Sequence, residues 1–203
     1  MRNPDFDLLV WDFDGVLNAN IVDGRFVWAD RLHMDLGIDP QAFSDFIFRS
    51  GRMREVVSGR MDLLDVVGPW LADQGHSIAA PEFLRYWWQR DARPDGEVMG
   101  WARAVPVRQV IGTNNEGHRA RYIEEEMDVA HLVEQIFASG RMGVAKPDPG
   151  FFQHIQDWAG VPPDRILLVD DNAPNIAAAQ DLGWHGFHFT PESRALLPGR
   201  LGL

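Results

Sequence analysis

The chain has 203 residues, 45% hydrophobic and 24% charged, the balance of a folded globular protein and not of a disordered one. Its formal net charge of −11 works against binding the phosphate backbone of a nucleic acid, which needs a cationic footprint. With no cysteine there is no disulfide, thiolate nucleophile or thiolate metal site, so any metal must be held by oxygen or imidazole, and a hard cation such as Mg²⁺ fits best.

Residues 1–7 contain no apolar core of signal-peptide length, and no stretch approaches the ~18 apolar residues that cross a bilayer. A cytoplasmic protein without a membrane partner is expected. Leu8-Leu9-Val10-Trp11 is a run of large apolar residues that suits a strand buried on both faces. It ends in Asp12-Phe13-Asp14-Gly15. The two acids, two apart in extended backbone, point the same way, and Gly15 permits a tight exit. Taken alone, the segment reads equally as a catalytic edge or as an acidic turn.

Residues 18–98 follow with helical patterns near 26–36, 40–48, 61–74 and 81–89. They are predicted to form a small all-helical insertion after the first strand, closed by the linker turn Arg93-Pro94-Asp95-Gly96. Its tryptophans, Trp87 and Trp88 among them, read as packing between helices rather than as a ligand-stacking surface. Gly59-Arg60 reads as an ordinary loop pair more readily than as an anion contact.

Beyond the insertion a strand and helix alternate. A strand at 107–112 leads into Thr113-Asn114-Asn115 and a charged helix at 116–127, whose Glu124-Glu125-Glu126 suits a solvated face. A strand at 135–139 precedes a loop to Pro147, and Asp148-Pro149 supplies an N-cap and a first-turn proline for a helix to 159. A strand at 165–169 ends in Asp170-Asp171-Asn172. An alanine-rich helix at 173–182 is stopped by Gly183, and a last strand lies around 184–189. Such alternation implies right-handed βαβ units and a mostly parallel sheet. In such sheets ligands bind beyond the carboxyl ends of the strands. Three strands here bring Asp12/Asp14, Thr113/Asn114 and Asp170/Asp171 to that edge, a convergence that favours a site over scattered turns. The seven histidines show no ligand spacing beyond His185/His188, and all read as structural or exposed.

Four motifs occur in order: Asp12-Phe13-Asp14-Gly15-Val16-Leu17, Gly112-Thr113-Asn114-Asn115, Val144-Ala145-Lys146-Pro147-Asp148, and Val169-Asp170-Asp171-Asn172 with Asn175 beyond. On these residues the chain resembles the haloacid dehalogenase superfamily, on its phosphatase branch with a helical cap. The resemblance implies an α/β fold, a Rossmann-like three-layer sandwich with a mostly parallel sheet. The catalytic core would comprise 1–17 and 99–203, and the cap 18–98.

It further implies a Mg²⁺-dependent phosphohydrolase that cleaves a small phosphorylated metabolite through an aspartyl-phosphate. Asp12 would be the nucleophile and Asp14 the acid and base. Thr113 and the backbone N–H of Asn114 would hold the phosphate, and Lys146 would supply fixed positive charge. Asp12, the backbone carbonyl of Asp14, and Asp171 with Asp170 nearby would hold Mg²⁺, with Asn172 and Asn175 orienting these carboxylates. The cap would close over the site and exclude water.

Rival implications are a 2-haloacid dehalogenase, against which Asp14 argues, and a phosphomutase, whose usual histidine after the first motif is missing from Asn18-Ala19-Asn20-Ile21-Val22. A catalytically silent binding module is expected to lose one of Asp12, Asp14, Lys146 or Asp171. A receiver-like domain orders its acids differently.

Overall fold

The structure, a computed structural model, describes residues 5–22 and 24–203. Five strands form one sheet: β1 (Leu8–Trp11), β4 (Arg108–Thr113), β5 (Gln135–Ala138), β6 (Ile166–Asp170) and β7 (His185–His188). Their order is β5-β4-β1-β6-β7, and every neighbouring pair is parallel, so the alternating pattern in the sequence does produce a parallel α/β sheet.

Strand β1 lies at the centre, and all four of its residues are fully buried. Its side chains alternate between two cores, as the two-residue period of a strand requires. Leu9 and Trp11 face a cluster with Val98 and Met99 of α6 (Gly96–Ala104), Ile123 of α7 (Gly117–Glu126), and Leu197 and Leu201 of α11 (Leu197–Leu201). Leu8 and Val10 face Phe151, Phe152 and Ile155 of α9 (Pro149–Ala159) and Ile176 of α10 (Ala173–Asp181). Helices thus cover both faces, which makes three layers. Gly112 in β4 lets α9 approach closely: a Cβ there would stand 3.2 Å from Ile155, Phe151 and Val10. A short α8 (Ser139–Met142) follows β5.

Between β1 and α6 lie α1 (Leu32–Leu36), α2 (Pro40–Ser44), α3 (Arg52–Val57), α4 (Leu63–Asp73) and α5 (Ala80–Asp91). The segment is not purely helical. A two-stranded antiparallel ribbon of β2 (Ile21–Val22) and β3 (Arg25–Phe26) opens it, so residue 26, expected to start a helix, is extended. The helix expected over 40–48 changes at Asp45–Arg49 into a π-helical turn. These helices share a hydrophobic cluster of their own, with Phe43 at its middle. The Phe43 ring centroid lies 5.8 Å from Trp28, 5.1 Å from Trp70, 5.0 Å from Phe83 and 5.5 Å from Trp87, in the edge-on arrangements aromatic rings favour. Among the described residues no helix is long and apolar enough to cross a membrane.

Phe43→Ala should therefore lower the unfolding free energy by about 3–5 kcal/mol. Urea titration followed by tryptophan fluorescence checks this, and a loss no larger than that of a surface substitution, about 0.5 kcal/mol, would contradict the packing.

Candidate active site

Sheet register sets the site. Trp11 pairs with Ile111 of β4 and Val169 of β6, so the next residue, Asp12, stands level with Gly112 and Asp170. The Asp12 N–H donates to the Val169 carbonyl at 2.8 Å, which ties the acid to β6. From β1 the chain moves outward through β4 to β5, then resumes at β6 on the other side of β1 and moves out to β7. The crevice beyond the carboxyl ends of β1 and β6 is therefore the topological switch point, where α/β sheets bind ligands.

Lys146 reaches into this crevice with its side chain only 1% exposed. Its Nζ lies 2.9 Å from Asp12 Oδ1 and donates to Asp170 Oδ2 at 2.7 Å. The loop that carries it is clamped by Asn114, whose Nδ2 donates to the Lys146 carbonyl and whose Oδ1 accepts from the Lys146 N–H, both at 2.8 Å. Burial acts to lower the pKa of the ammonium, but the Asp12 and Asp170 carboxylates outweigh it and raise it, so Lys146 stays charged. Burial, and then Asp170, pushes the Asp12 carboxyl well above the ordinary carboxylate range against the pull of Lys146.

Asp170 is fully buried and fully engaged by the protein. Besides Lys146, the Asn172 N–H donates to its Oδ1 at 2.9 Å and Asn175 Nδ2 reaches both oxygens, at 2.9 and 3.1 Å. Asp171 stands nearer to solvent. Its carboxylate lies against the Cα of Gly15, where a Cβ would come within 2.2 Å of Oδ2 and where φ is +83°. Burial and the neighbouring Asp170 push its pKa up to about 6.

Oxygens of Asp12, Asp170 and Asp171 all lie within 4.8 Å of one another. Three carboxylates against a single ammonium leave an excess of negative charge, and hard oxygen donors at this spacing fit one divalent cation. The Asp14 side chain, expected near the metal only through its backbone, is not in that group.

Asp14 belongs to a second network. Its Oδ1 accepts from Asn18 Nδ2 at 3.1 Å, Asn20 Nδ2 at 2.8 Å and Arg119 at 2.8 Å, and its Oδ2 accepts from Asn115 Nδ2 at 2.9 Å. Asn115 Nδ2 also donates to Thr113 Oγ1 at 2.7 Å, which leaves the Thr113 hydroxyl proton for another acceptor. Arg119 further forms an ion pair with Asp91 at the end of α5, and Asn20 donates to the same carboxylate at 2.9 Å. Burial raises the pKa of Asp91 against the pull of Arg119. The ring nitrogen of His188 lies 3.0 Å from the Asp171 carbonyl, a structural role.

Sequence reasoning missed Asn18, Asn20, Asp91, Asn115 and Arg119. Only Arg119 carried a signal: it falls beside Ala120 and one helical turn from Ile123, both fully buried, an arginine on the apolar face of a charged helix.

A family model, haloacid dehalogenase-like hydrolase, matches residues 6–183. The chain belongs to that family. Similar relatives of the haloacid dehalogenase-like chain include phosphoglycolate phosphatase of Pseudomonas putida, 24% identical over 95% of this chain and 79% of that protein. Another is a sesquiterpene phosphatase of Aspergillus oryzae, 36% identical over 48% of this chain and 52% of that protein. Among solved structures, a Bacteroides thetaiotaomicron enzyme of the family in complex with magnesium and inorganic phosphate superposes with a TM-score of 0.76. It is 17% identical, with 95% of this chain and 98% of that one covered, and shows the shared fold.

Without metal, Asp171 holds its proton to about pH 6 when folded and loses it near 4 when unfolded. Its contribution to stability therefore falls as pH rises through that window and stays low above it. The stability gained by Asp171→Asn, measured by urea titration in a chelator, should grow between pH 4 and 6 and then level off. A pH-independent difference would contradict the raised pKa. Saturating Mg²⁺ should stabilise the parent protein more than the variant.

Proposed function

We propose that the protein is a Mg²⁺-dependent phosphohydrolase that cleaves a phosphate monoester of a small molecule through an aspartyl-phosphate on Asp12. The observation that carries this is the placement of one buried ammonium between Asp12 and Asp170, with the Thr113 hydroxyl at the end of the adjacent strand. The two phosphatase relatives support the same reaction class.

Phosphoryl transfer asks the protein for a nucleophile in line and for neutralisation of the phosphoryl oxygens. Asp12 supplies the carboxylate that displaces the alcohol. The Phe13 N–H donates to its Oδ1 at 2.6 Å and Lys146 Nζ lies 2.9 Å from the same atom, so Oδ2 is the oxygen left to attack. Lys146 and the Thr113 hydroxyl hold negative oxygens that would otherwise repel the nucleophile.

Asp12 and Asp171, with Asp170 behind them, would hold a divalent cation, which would supply the remaining neutralising charge. Asp14, two residues on, gives a proton to the departing alcohol oxygen and takes one from the water that cleaves the acyl phosphate. Residues 18–98 act as the cap of this core, contributing the Asp91 contact that reaches Arg119 and limiting access of water. The substrate is a small phosphorylated molecule rather than a nucleic acid.

Asp12→Asn should reduce Mg²⁺-dependent hydrolysis of 4-nitrophenyl phosphate by about a thousandfold or more, as loss of a covalent nucleophile does. An unaffected rate would end this reading. Asp14→Asn should cost about 10²–10⁴-fold on an alkyl phosphate, whose alkoxide leaves badly, and much less in the first, alcohol-releasing step with 4-nitrophenyl phosphate. Single-turnover release of the two alcohols checks this, and equal losses would remove Asp14 from the role of acid.

A further inference from the structure

Beside Asp14 the inserted segment and the core line a cavity that is partly open to solvent. Its two sides differ in chemistry. The core side presents Asp14, Asn114, Asn115, Glu116 and Arg119, joined by Asp91 from α5. The facing wall is apolar and comes wholly from the insertion, chiefly Phe26, Trp28, Phe48, Met53, Leu63 and Trp87.

Each of the polar side chains is already partnered. Asp14, Asp91, Asn115 and Arg119 hold one another, Asn114 clamps the Lys146 backbone, and Glu116 caps α7 through the N–H groups of His118 and Arg119, both at 2.6 Å. Asp91 Oδ1 and Arg119 Nε lack a partner, but both are closed off from solvent. A leaving group rich in hydroxyls or carboxylates would lose its water here and meet groups already committed to the protein.

The aromatic wall is built to the same end. Trp28 stacks on Trp87 at 4.5 Å, and the Phe48 ring meets Trp87 edge-on at 6.0 Å. Phe26 stacks with Phe48 at 6.4 Å, and these two rings remain 43% and 36% exposed. They are large apolar surfaces left uncovered at the site, which a ligand can cover.

Resting on the phosphatase reading, we propose that the substrate is the phosphate monoester of an apolar alcohol, alkyl, prenyl or aryl. Its phosphate lies at Asp12 and Lys146, and its hydrocarbon lies along the Phe26, Phe48, Trp28 and Trp87 wall.

The test is a series of n-alkyl phosphates from ethyl to octyl, alongside glycerol phosphate. The value of kcat/KM should rise about three- to fourfold per methylene until the cavity is filled, and propyl phosphate should exceed glycerol phosphate at least tenfold. A flat series, or glycerol phosphate as good as propyl phosphate, would overturn the inference while leaving the phosphatase reading intact.

Phe26→Ser and Phe48→Ser, at partly exposed positions, should each lower the octyl-to-ethyl ratio fivefold or more; an unchanged ratio in both would remove the wall from recognition. If no phosphate is turned over, the phosphatase reading fails. Binding of alkylphosphonates, followed by quenching of tryptophan fluorescence, then decides the inference independently: affinity that climbs with chain length upholds it, and affinity indifferent to length overturns it.

Discussion

A single ammonium buried between two carboxylates organises this molecule. Lys146 is 1% exposed on its side chain, Asp170 not at all, and Asp12 11%. Removing three charges from water costs several kcal/mol per ion, and only close geometry with further hydrogen bonds offsets that cost. The geometry is supplied: Asn175 and the Asn172 N–H complete Asp170, while Asn114 holds the lysine loop from both sides of one peptide. Three carboxylates remain against one lysine, so the cluster is left acidic. Burial first, and that residual charge second, raise Asp12 and Asp171, and the charge makes the place suitable for a divalent cation.

The parallel register translates this local requirement into a fold. Asp12, Asp170 and Thr113 come from β1, β6 and β4, and no two of them are neighbours in sequence. They meet because β1 is flanked by those two strands with Trp11 opposite Ile111 and Val169. A slip of one residue would turn each acid to the other face of the sheet. The slip is resisted by the cores on both sides, since it would exchange Leu9 and Trp11 for Leu8 and Val10 between two differently shaped clusters. The geometry of the candidate site and the hydrophobic packing are therefore fixed by the same register.

The sheet and its edge were legible in the sequence for a physical reason. Strands such as 8–11 and 166–169 are buried on both faces and read as unbroken apolar runs, and the polar residues that follow them have nowhere to go but the carboxyl edge. The insertion was less legible. Its first helices are short, α1 and α2 having five residues each, so periodicity could indicate helix there without locating its limits. The ribbon Ile21–Val22 with Arg25–Phe26 has too few residues to show an alternation. Helix α6 follows the turn at 93–96 directly, with Asp95 capping it by accepting from the N–H groups of Glu97 and Val98, so the turn signal masks the helix start. The partners of Asp14 were hard to read for a different reason: Asn18, Asn20 and Asn115 acquire meaning only through their contacts in the fold, and Arg119, conspicuous on an apolar helix face, meets Asp14 across 105 positions.

Arg119 also explains how a segment outside the sheet can influence the chemistry at its edge. One end of its guanidinium holds Asp14 at 2.8 Å, and the other pairs with Asp91, the last residue of α5. Asn20 repeats the bridge, donating to Asp14 and to Asp91. Asp91 and Arg119 are both buried, and shifting α5 so as to part them would leave a buried carboxylate and a buried guanidinium uncompensated. The orientation of Asp14 is thus coupled to the docking of the insertion. The same docking closes the aromatic wall over the cavity, so a ligand that fills the cavity and a correctly aimed Asp14 favour one arrangement of the chain. In the phosphatase proposed above, binding energy gathered on hydrocarbon remote from phosphorus would in this way position Asp14, the route by which remote contacts raise a chemical rate rather than merely tighten binding.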